Sequence, residues 1–155
     1  MTADVAEQVA ASRPAIRGSV KTPVVRRAMV LAAGRGSRLH ALTGCAPKCL
    51  TEISGEPLLF RALTALASHG ITEAIIVIGY MGDMVRERVG ERFAGINIRY
   101  VDAPDHATAN NIRSFWDARD YFDEDMLLLE ADVAFDPEVV GALLEQTGNC
   151  AAVAP

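Results

Sequence analysis

The stretch AMVLAAGRGSRL, residues 28–39, decides how the rest of the chain is interpreted. It opens with a short apolar run, as expected for a strand that is covered on both faces of a parallel sheet. Gly34 and Gly36 follow, and they allow the backbone to turn tightly because they carry no Cβ. Successive N–H groups of such a turn can converge on an anion. The pattern therefore predicts a strand that ends in an anion-binding loop.

Cationic side chains accompany this glycine loop. Arg35 and Arg38 offer forked donors that match phosphate oxygens, and Lys48 adds a mobile positive charge. The dinucleotide-binding pattern would need a third glycine at Leu39, and the P-loop spacing is missing. The two glycines alone would fit an ordinary tight turn. The added cations favour a phosphate site at the carboxyl end of the first strand.

Strand-like and helix-like segments alternate along the rest of the chain. A helical repeat of leucine and alanine follows Pro57 and ends at Gly70. The pattern also predicts strands at 74–78, 96–101, 126–129 and 150–153, and helices at 81–89, 110–121 and 137–146. This alternation predicts an α/β fold with three α/β/α layers and a mostly parallel sheet.

Composition limits the organisation and the class of the protein. The 155 residues suit one domain, and we interpret 1–27 as a flexible N-terminal extension before a domain at 28–155. The net charge of −5 argues against a nucleic-acid partner. Neither a transmembrane run nor a signal peptide is visible, and the three cysteines show no pairing pattern. We therefore expect reduced thiols, a cytoplasmic location and no membrane partner.

The extent of the chain leads to a further expectation. Residue 155 comes soon after the start of the last predicted strand, as expected for the N-terminal part of a longer protein. We therefore expect a longer protein with a fused second catalytic domain, or a homo-oligomer.

Residues 31–50, LAAGRGSRLHALTGCAPKCL, resemble the signature of the sugar-phosphate and phosphocholine nucleotidyltransferase superfamily. The stretches at 53–59 and 70–80 and the block around Asp132 extend the resemblance over 28–155. It implies a Rossmann-like nucleotidyltransferase core. It also implies that Arg38 holds the departing pyrophosphate and that Lys48 bridges the transferred and accepting phosphoryl groups. The implied nucleotide-binding residues, of which the first three face the base and ribose, are Leu31, Ala32, Ala33, Gly34, Arg35, Gly36 and Ser37.

Two carboxylates stand near the end of the predicted strand at 126–129. Asp132 is well placed to bind Mg²⁺, which prefers oxygen ligands and is commonly shared with substrate phosphates. The resemblance assigns the same role to Asp132, while a capping or solvated carboxylate is the simpler alternative. Glu130 could assist, although we expect alternation along the strand to direct it across the sheet from Asp132. We therefore expect a Mg²⁺ cofactor and interpret Arg38, Lys48 and Asp132 as catalytic.

The segment DHATANNIRS, residues 105–114, resembles the "NNI-x-S" block of phosphocholine and 2-aminoethylphosphonate cytidylyltransferases. The resemblance implies a small headgroup as the acceptor, bound by Asn110, Asn111 and Ser114. A simple helix cap and a solvent-facing serine would also explain these residues. His106 could contact the acceptor or be an ordinary surface histidine.

Two aromatic residues are less informative. Tyr80 follows a buried strand and could approach the nucleotide or merely close the sheet edge. We expect Trp116 to belong to the core rather than to a stacking platform.

Together these resemblances imply a cytidylyltransferase that transfers CMP from CTP to a small phosphonate and releases pyrophosphate. The expected acceptor is 2-hydroxyethylphosphonate or 2-aminoethylphosphonate. The chain is similar to the cytidylyltransferase domains fused to phosphoenolpyruvate mutase in fosfomycin biosynthesis, a route to an antibiotic. Transfer to phosphocholine or a sugar 1-phosphate stays open, as do a non-catalytic nucleotide-binding regulatory module and a nicotinamide-binding domain.

Overall fold

The computed structural model of the protein describes residues 25–34, 46–106, 108 and 111–153. The strands in this part of the chain are β1 Arg27–Ala32, β2 Glu52–Ile53, β3 Glu56–Pro57, β4 Glu73–Ile78, β5 Arg92–Phe93, β6 Ile96–Asp102 and β7 Met126–Glu130. Its α-helices are α1 Leu58–Ser68, α2 Gly82–Val89, α3 Asn111–Asp117 and α4 Glu138–Leu144. None of these helices is long and apolar enough to cross a bilayer.

Five strands form one sheet in the order β5-β6-β4-β1-β7. Strands β6, β4, β1 and β7 are parallel, and β5 pairs antiparallel with β6. The chain therefore builds outward from β1 through β4 to β6, and then returns to the other side of β1 to form β7. A point where the strand order reverses in this way leaves a crevice at the carboxyl ends of the two strands.

Helices cover both faces of this sheet, so the predicted three-layer α/β/α architecture is confirmed. One face packs with α1, α2 and α4 through side chains such as Leu63, Val85 and Val140. The other face packs with α3 and the turn after it through Phe115 and Ala118. Strands β1 and β4 are almost wholly buried because both of their faces are covered.

The end of α1 shows how local chemistry fixes an element boundary. Gly70 has a φ of 82°, a conformation that side chains with a Cβ rarely adopt. Its N–H donates to the carbonyl of Ala67 at 3.2 Å, and the N–H of Ile71 donates to that of Leu66 at 3.1 Å. This paired arrangement is a Schellman motif, which satisfies carbonyls that the helix leaves free. The prediction that the helix ends at Gly70 is confirmed.

Two sequence-based expectations about secondary structure and one about burial are wrong. Residues 150–153 form no strand, and the helix predicted at 110–121 stops as α3 at Asp117. Trp116 is 57% exposed and is not part of the core. Ser114 and Ala118 are buried and lie four residues apart, on the side of the helix that meets the sheet. Trp116 lies midway between them, so the helical period turns it outward.

A network of charges ties the amino ends of the parallel strands together. Glu73 accepts hydrogen bonds from the guanidinium groups of Arg27 and Arg99, each at 2.6 Å. Arg27 also pairs with Asp123 and, at 2.9 Å, with Glu124. Burial alone would raise the pKa of Glu73, but the hydrogen bonds from the two arginines outweigh it and hold the pKa below its usual value.

We expect Glu73→Gln to lower the free energy of unfolding by about 2 kcal/mol at neutral pH, because Arg27 and Arg99 lose a charged acceptor. A carboxyl whose pKa is depressed by folding stabilises the protein above its unfolded pKa of roughly 4.3. The stabilisation is then lost as the pH falls through the lower folded value. Chemical denaturation at several pH values tests this, with the exposed Glu87→Gln on α2 as the control. Equal loss of stability in both variants would contradict the role of Glu73.

Candidate active site

A pocket opens at the carboxyl ends of β1 and β7, where the strand order reverses. The end of β1, the turn after β7 and the start of α3 form its walls. Its lining residues are Leu31, Ala32, Ala33, Gly34, Lys48, Cys49, Asn111, Ser114, Glu130, Ala131 and Asp132. Residues as far apart in the chain as Leu31 and Asp132 meet here, because the carboxyl ends of parallel strands share one edge of the sheet.

Lys48 and Asp132 form an ion pair within this pocket. Their side chains are 28% and 33% exposed, so both reach a ligand that enters the pocket. Lys48 begins a single helical turn, Lys48–Leu50, in which the N–H of Leu50 donates to the carbonyl of Pro47 at 2.9 Å. Cys49 and Leu50 are buried in the core, and they anchor the turn that carries the lysine.

The position of Asp132 follows from the end of the sheet. The N–H of Ala131 donates to the carbonyl of Leu31 at 3.1 Å, which continues the pairing of β7 with β1 for one residue beyond Glu130. Ala131 is buried, and Asp132 is the next residue, where the chain leaves the sheet. The aspartate is therefore held directly above the end of a rigid strand.

Glu130 shares the pocket with Asp132, so the expectation that it points across the sheet is wrong. The strand ends at Glu130, and Ala131 and Asp132 form a turn, so the alternation of a strand does not extend to Asp132. The carboxylate of Glu130 accepts a hydrogen bond of 2.8 Å from the amide of Asn111. This bond joins the end of β7 to the start of α3. Glu130 is the pocket residue that the sequence interpretation misplaced, because the end of the strand could not be located from the sequence.

Ser114 is buried, with 6% of its surface exposed, and it lines the same pocket. Its hydroxyl makes no hydrogen bond to any residue that the structure describes. The alternative of a solvent-facing serine is therefore wrong, since the side chain lies against the pocket and not in bulk water. Among the described residues, the buried oxygen atoms without a partner belong to Thr51 and Asp117 and not to Ser114, so the Ser114 hydroxyl is accessible from the pocket to a ligand.

Cys49 lines the pocket but does not have the character of a nucleophile. Burial raises the pKa of its thiol to about 12, and the nearby charge of Asp132 adds to the rise. The thiol therefore stays protonated at neutral pH, and a thiol is a poor nucleophile compared with a thiolate. Cys49 and Cys150 are free, as expected, and Cys45 lies outside the described residues.

The loop after β4 lies beside the loop after β6, next to β1. A Cβ at Gly79 would lie 2.5 Å from the Cβ of His106, so only glycine permits this approach. His106 donates from Nδ1 to the carbonyl of Ala103 at 2.9 Å, and the N–H of Tyr80 donates to the carbonyl of Ala33 at 3.2 Å. Neither His106 nor Tyr80 is among the described residues that line the pocket.

Several predicted site residues cannot be placed. Arg35, Gly36, Ser37, Arg38 and Asn110 lie outside the described residues. The structure brings together the other predicted nucleotide-binding residues of β1 and its end, Lys48, Asp132, Asn111 and Ser114.

The described donors fit a magnesium ion that is shared with a nucleotide. Mg²⁺ is commonly held by one or two carboxylates together with phosphate oxygens and water. Asp132 supplies a carboxylate in the pocket, and it already binds the cationic ammonium of Lys48. Within the described ranges, no group of three or more His, Cys, Asp or Glu side chains forms a closed metal cage. A carboxylate at this edge of the sheet suits a metal that is shared with phosphate oxygens.

Comparison with known proteins places these features in a family. The family model described as "MobA-like NTP transferase domain" matches residues 28–155. The CMP-5'-(3-aminopropyl)phosphonate synthase of Streptomyces rubellomurinus is 46% identical over 117 residues, which cover 76% of this chain and 19% of that protein. The choline-phosphate cytidylyltransferase of Streptococcus pneumoniae is 35% identical over 79 residues, 49% of this chain and 34% of that protein.

Solved structures show the same fold. The inositol-1-phosphate CTP transferase from T. maritima matches with a TM-score of 0.66 and 24% identity, over 82% of this chain and 51% of that one. The CTP:phosphocholine cytidylyltransferase from Streptococcus pneumoniae matches with a TM-score of 0.57 and 28% identity, over 70% and 46%. The chain thus spans about half or less of these relatives. With the family model matched from the first strand onward, the chain belongs to the MobA-like NTP transferase domain family.

Proposed function

We propose that the protein transfers CMP from CTP to a small phosphonate, either 2-hydroxyethylphosphonate or 2-aminoethylphosphonate, and releases pyrophosphate. The observation that carries this proposal is the position of Lys48 beside Asp132 in the pocket between β1 and β7. One cationic and one anionic side chain at this edge suit a nucleoside triphosphate that arrives with its metal ion.

The proposed reaction is an in-line attack by a phosphonate oxygen on the α-phosphorus of CTP. The attacking oxygen is already anionic, so no general base is required. The main barriers are the repulsion between two anions and their alignment. Lys48 lowers the repulsion by placing its ammonium group between the attacking and the transferred groups.

Asp132 holds Mg²⁺ in this proposal, and Glu130 stands beside it in the same pocket. When bound, the metal neutralises charge on the phosphates of CTP. In the structure the carboxylate of Asp132 pairs with Lys48. Arg38, from the glycine loop, retains its proposed role at the leaving pyrophosphate, and Leu31 to Ser37 retain theirs around the nucleotide.

The names of the relatives support cytidine as the base and a phosphonate as the acceptor. The Streptomyces relative is named for a CMP-phosphonate product, and the pneumococcal relatives are named for CTP-dependent transfer to phosphocholine. The acceptor-side residues Asn111 and Ser114 line the same pocket as Lys48. A phosphonate bound there would lie within reach of the cation that assists the transfer.

Pyrophosphate release from the full-length protein tests this proposal. CTP, UTP, dTTP and GTP should each be supplied with Mg²⁺ and with each phosphonate, phosphocholine and glucose 1-phosphate in turn. We expect release to depend on CTP and on a phosphonate, and the CMP-phosphonate product should appear by mass spectrometry. No release with any pair, or release only with a sugar phosphate, would refute the proposal.

A further inference from the structure

Glu130 and Asn111 form a polar surface on the α3 side of the pocket. The donor and the acceptor of the hydrogen bond between them can be assigned. An ionised carboxylate only accepts hydrogen bonds. The 2.8 Å contact therefore requires Asn111 to donate through Nδ2 to Oε1 of Glu130. The second oxygen of Glu130 has no hydrogen-bond partner among the described residues, and the carbonyl oxygen of Asn111 is likewise an acceptor. This surface therefore presents acceptors to a ligand.

Ser114 provides a second and independent sign that a ligand group belongs here. It is more than nine-tenths buried, it lines the pocket, and its hydroxyl has no described partner. A hydroxyl both donates and accepts, so it can bond to the same ligand group that Glu130 accepts from. The three side chains come from β7 and α3 and converge at one wall.

The charges of the pocket set the direction of a bound acceptor. The phosphonate group is anionic, so it is drawn toward Lys48 and repelled by Glu130. The other end of the molecule must then lie toward Glu130, Asn111 and Ser114. Glu130 is exposed and one of its oxygens already accepts from Asn111, so the discrimination rests on the second oxygen: a tail with a hydroxyl or ammonium group donates to this charged acceptor, and a methyl group does not.

We propose that Glu130 selects acceptors whose tail ends in a hydrogen-bond donor, a hydroxyl or a primary ammonium group. This inference rests on the proposed function and specifies the substrate class that it admits. It disfavours tails that end in a methyl or a quaternary ammonium group, which have no proton to donate. Glu130 is then a specificity-determining residue for the transfer reaction.

Matched acceptors test the proposal. Propylphosphonate has nearly the shape of 2-hydroxyethylphosphonate but carries a methyl group in place of the hydroxyl. We expect kcat/KM for the hydroxyl compound to exceed that for propylphosphonate by about 10- to 100-fold, the range for one hydrogen bond to a charged group. Likewise, kcat/KM for 2-aminoethylphosphonate should exceed that for its N-trimethyl analogue.

Variants of Glu130 then assign the preference to the carboxylate. Two ratios of kcat/KM are compared: 2-hydroxyethylphosphonate over propylphosphonate, and 2-aminoethylphosphonate over its N-trimethyl analogue. Glu130→Ala should lower both ratios at least about tenfold, which corresponds to about 1.4 kcal/mol. Glu130→Gln retains a carbonyl acceptor without the charge. This variant should leave the ratio for the hydroxyl compound unchanged and lower the ratio for the ammonium compound, so it distinguishes the two classes of tail. Each ratio compares acceptors within one protein, so a general loss of stability or of CTP binding cancels. Glu138→Ala, at an exposed carboxylate of α4, is the matched control and should change neither ratio.

The outcomes separate this inference from the function on which it rests. Equal use of propylphosphonate and 2-hydroxyethylphosphonate by the unaltered protein would overturn the inference but leave CMP transfer to a phosphonate in place. Unchanged ratios in Glu130→Ala would also overturn it. Failure to use any phosphonate with CTP would instead refute the proposed function itself.

Discussion

Replacement of Lys48 by alanine is expected to lower kcat by about 10²–10³-fold, the cost of removing one charged donor that acts on the transition state. The ammonium group of Lys48 lies against Asp132, at the point where the transferred phosphoryl group would be held. The loss of Lys48 should act mainly on turnover, because we propose that the glycine loop and the end of β1 make the other contacts to the nucleotide. CTP affinity, measured by calorimetry, should change far less than kcat.

The control for Lys48→Ala is Arg61→Ala, which removes an exposed cation of α1 that pairs with Glu56. Its turnover should match that of the unaltered protein. Lys48→Arg retains the charge in a broader and more rigid group and should recover only part of the activity. Turnover of Lys48→Ala that equals that of the Arg61→Ala control would remove Lys48 from the mechanism.

Asp132→Asn is expected to weaken metal binding by at least about tenfold and to lower turnover by about 10²-fold or more. The amide keeps the shape of the carboxylate but removes the charge that attracts a divalent cation. Mn²⁺ can substitute for Mg²⁺ as a spectroscopic probe, and its binding in the presence of CTP can be measured by electron paramagnetic resonance. Chelation of the metal should likewise abolish turnover in the unaltered protein.

Glu138→Gln is the control for Asp132→Asn, because Glu138 is an exposed carboxylate in the first turn of α4. It should leave both the Mn²⁺ affinity and the turnover unchanged. A protein with Asp132→Asn that binds Mn²⁺ as tightly as this control would show that the metal lies elsewhere.

The sheet could be predicted from the sequence because its central strands are continuous apolar runs. The segments at 28–32 and 74–78 are each covered on both faces, so they carry no polar residues to obscure the pattern. The segment at 150–153 is also apolar but forms no strand, since an apolar run alone does not specify a partner. The exposure of Trp116 could not be predicted either, because a large aromatic residue on a short helix can face the sheet or the solvent.

Part of the candidate site could be predicted from the sequence. The glycine loop and Asp132 each follow a predicted strand, and parallel strands end at one edge, so their proximity could be inferred. The partner of Asp132 could not be inferred from spacing, since Lys48 lies 84 positions away on a separate turn. The contact between Asn111 and Glu130 depends on how α3 packs against the sheet, which no local pattern specifies.

The most direct test of the account is a double-mutant cycle on CTP-dependent pyrophosphate release with Lys48→Ala, Asp132→Asn and the pair together. If both side chains act on one nucleotide and its metal, the double variant should be scarcely slower than the slower single variant, because residues that act as a unit are not additive. If the two losses multiply as for independent sites, Lys48 and Asp132 do not serve a common ligand, and the proposed active site is wrong.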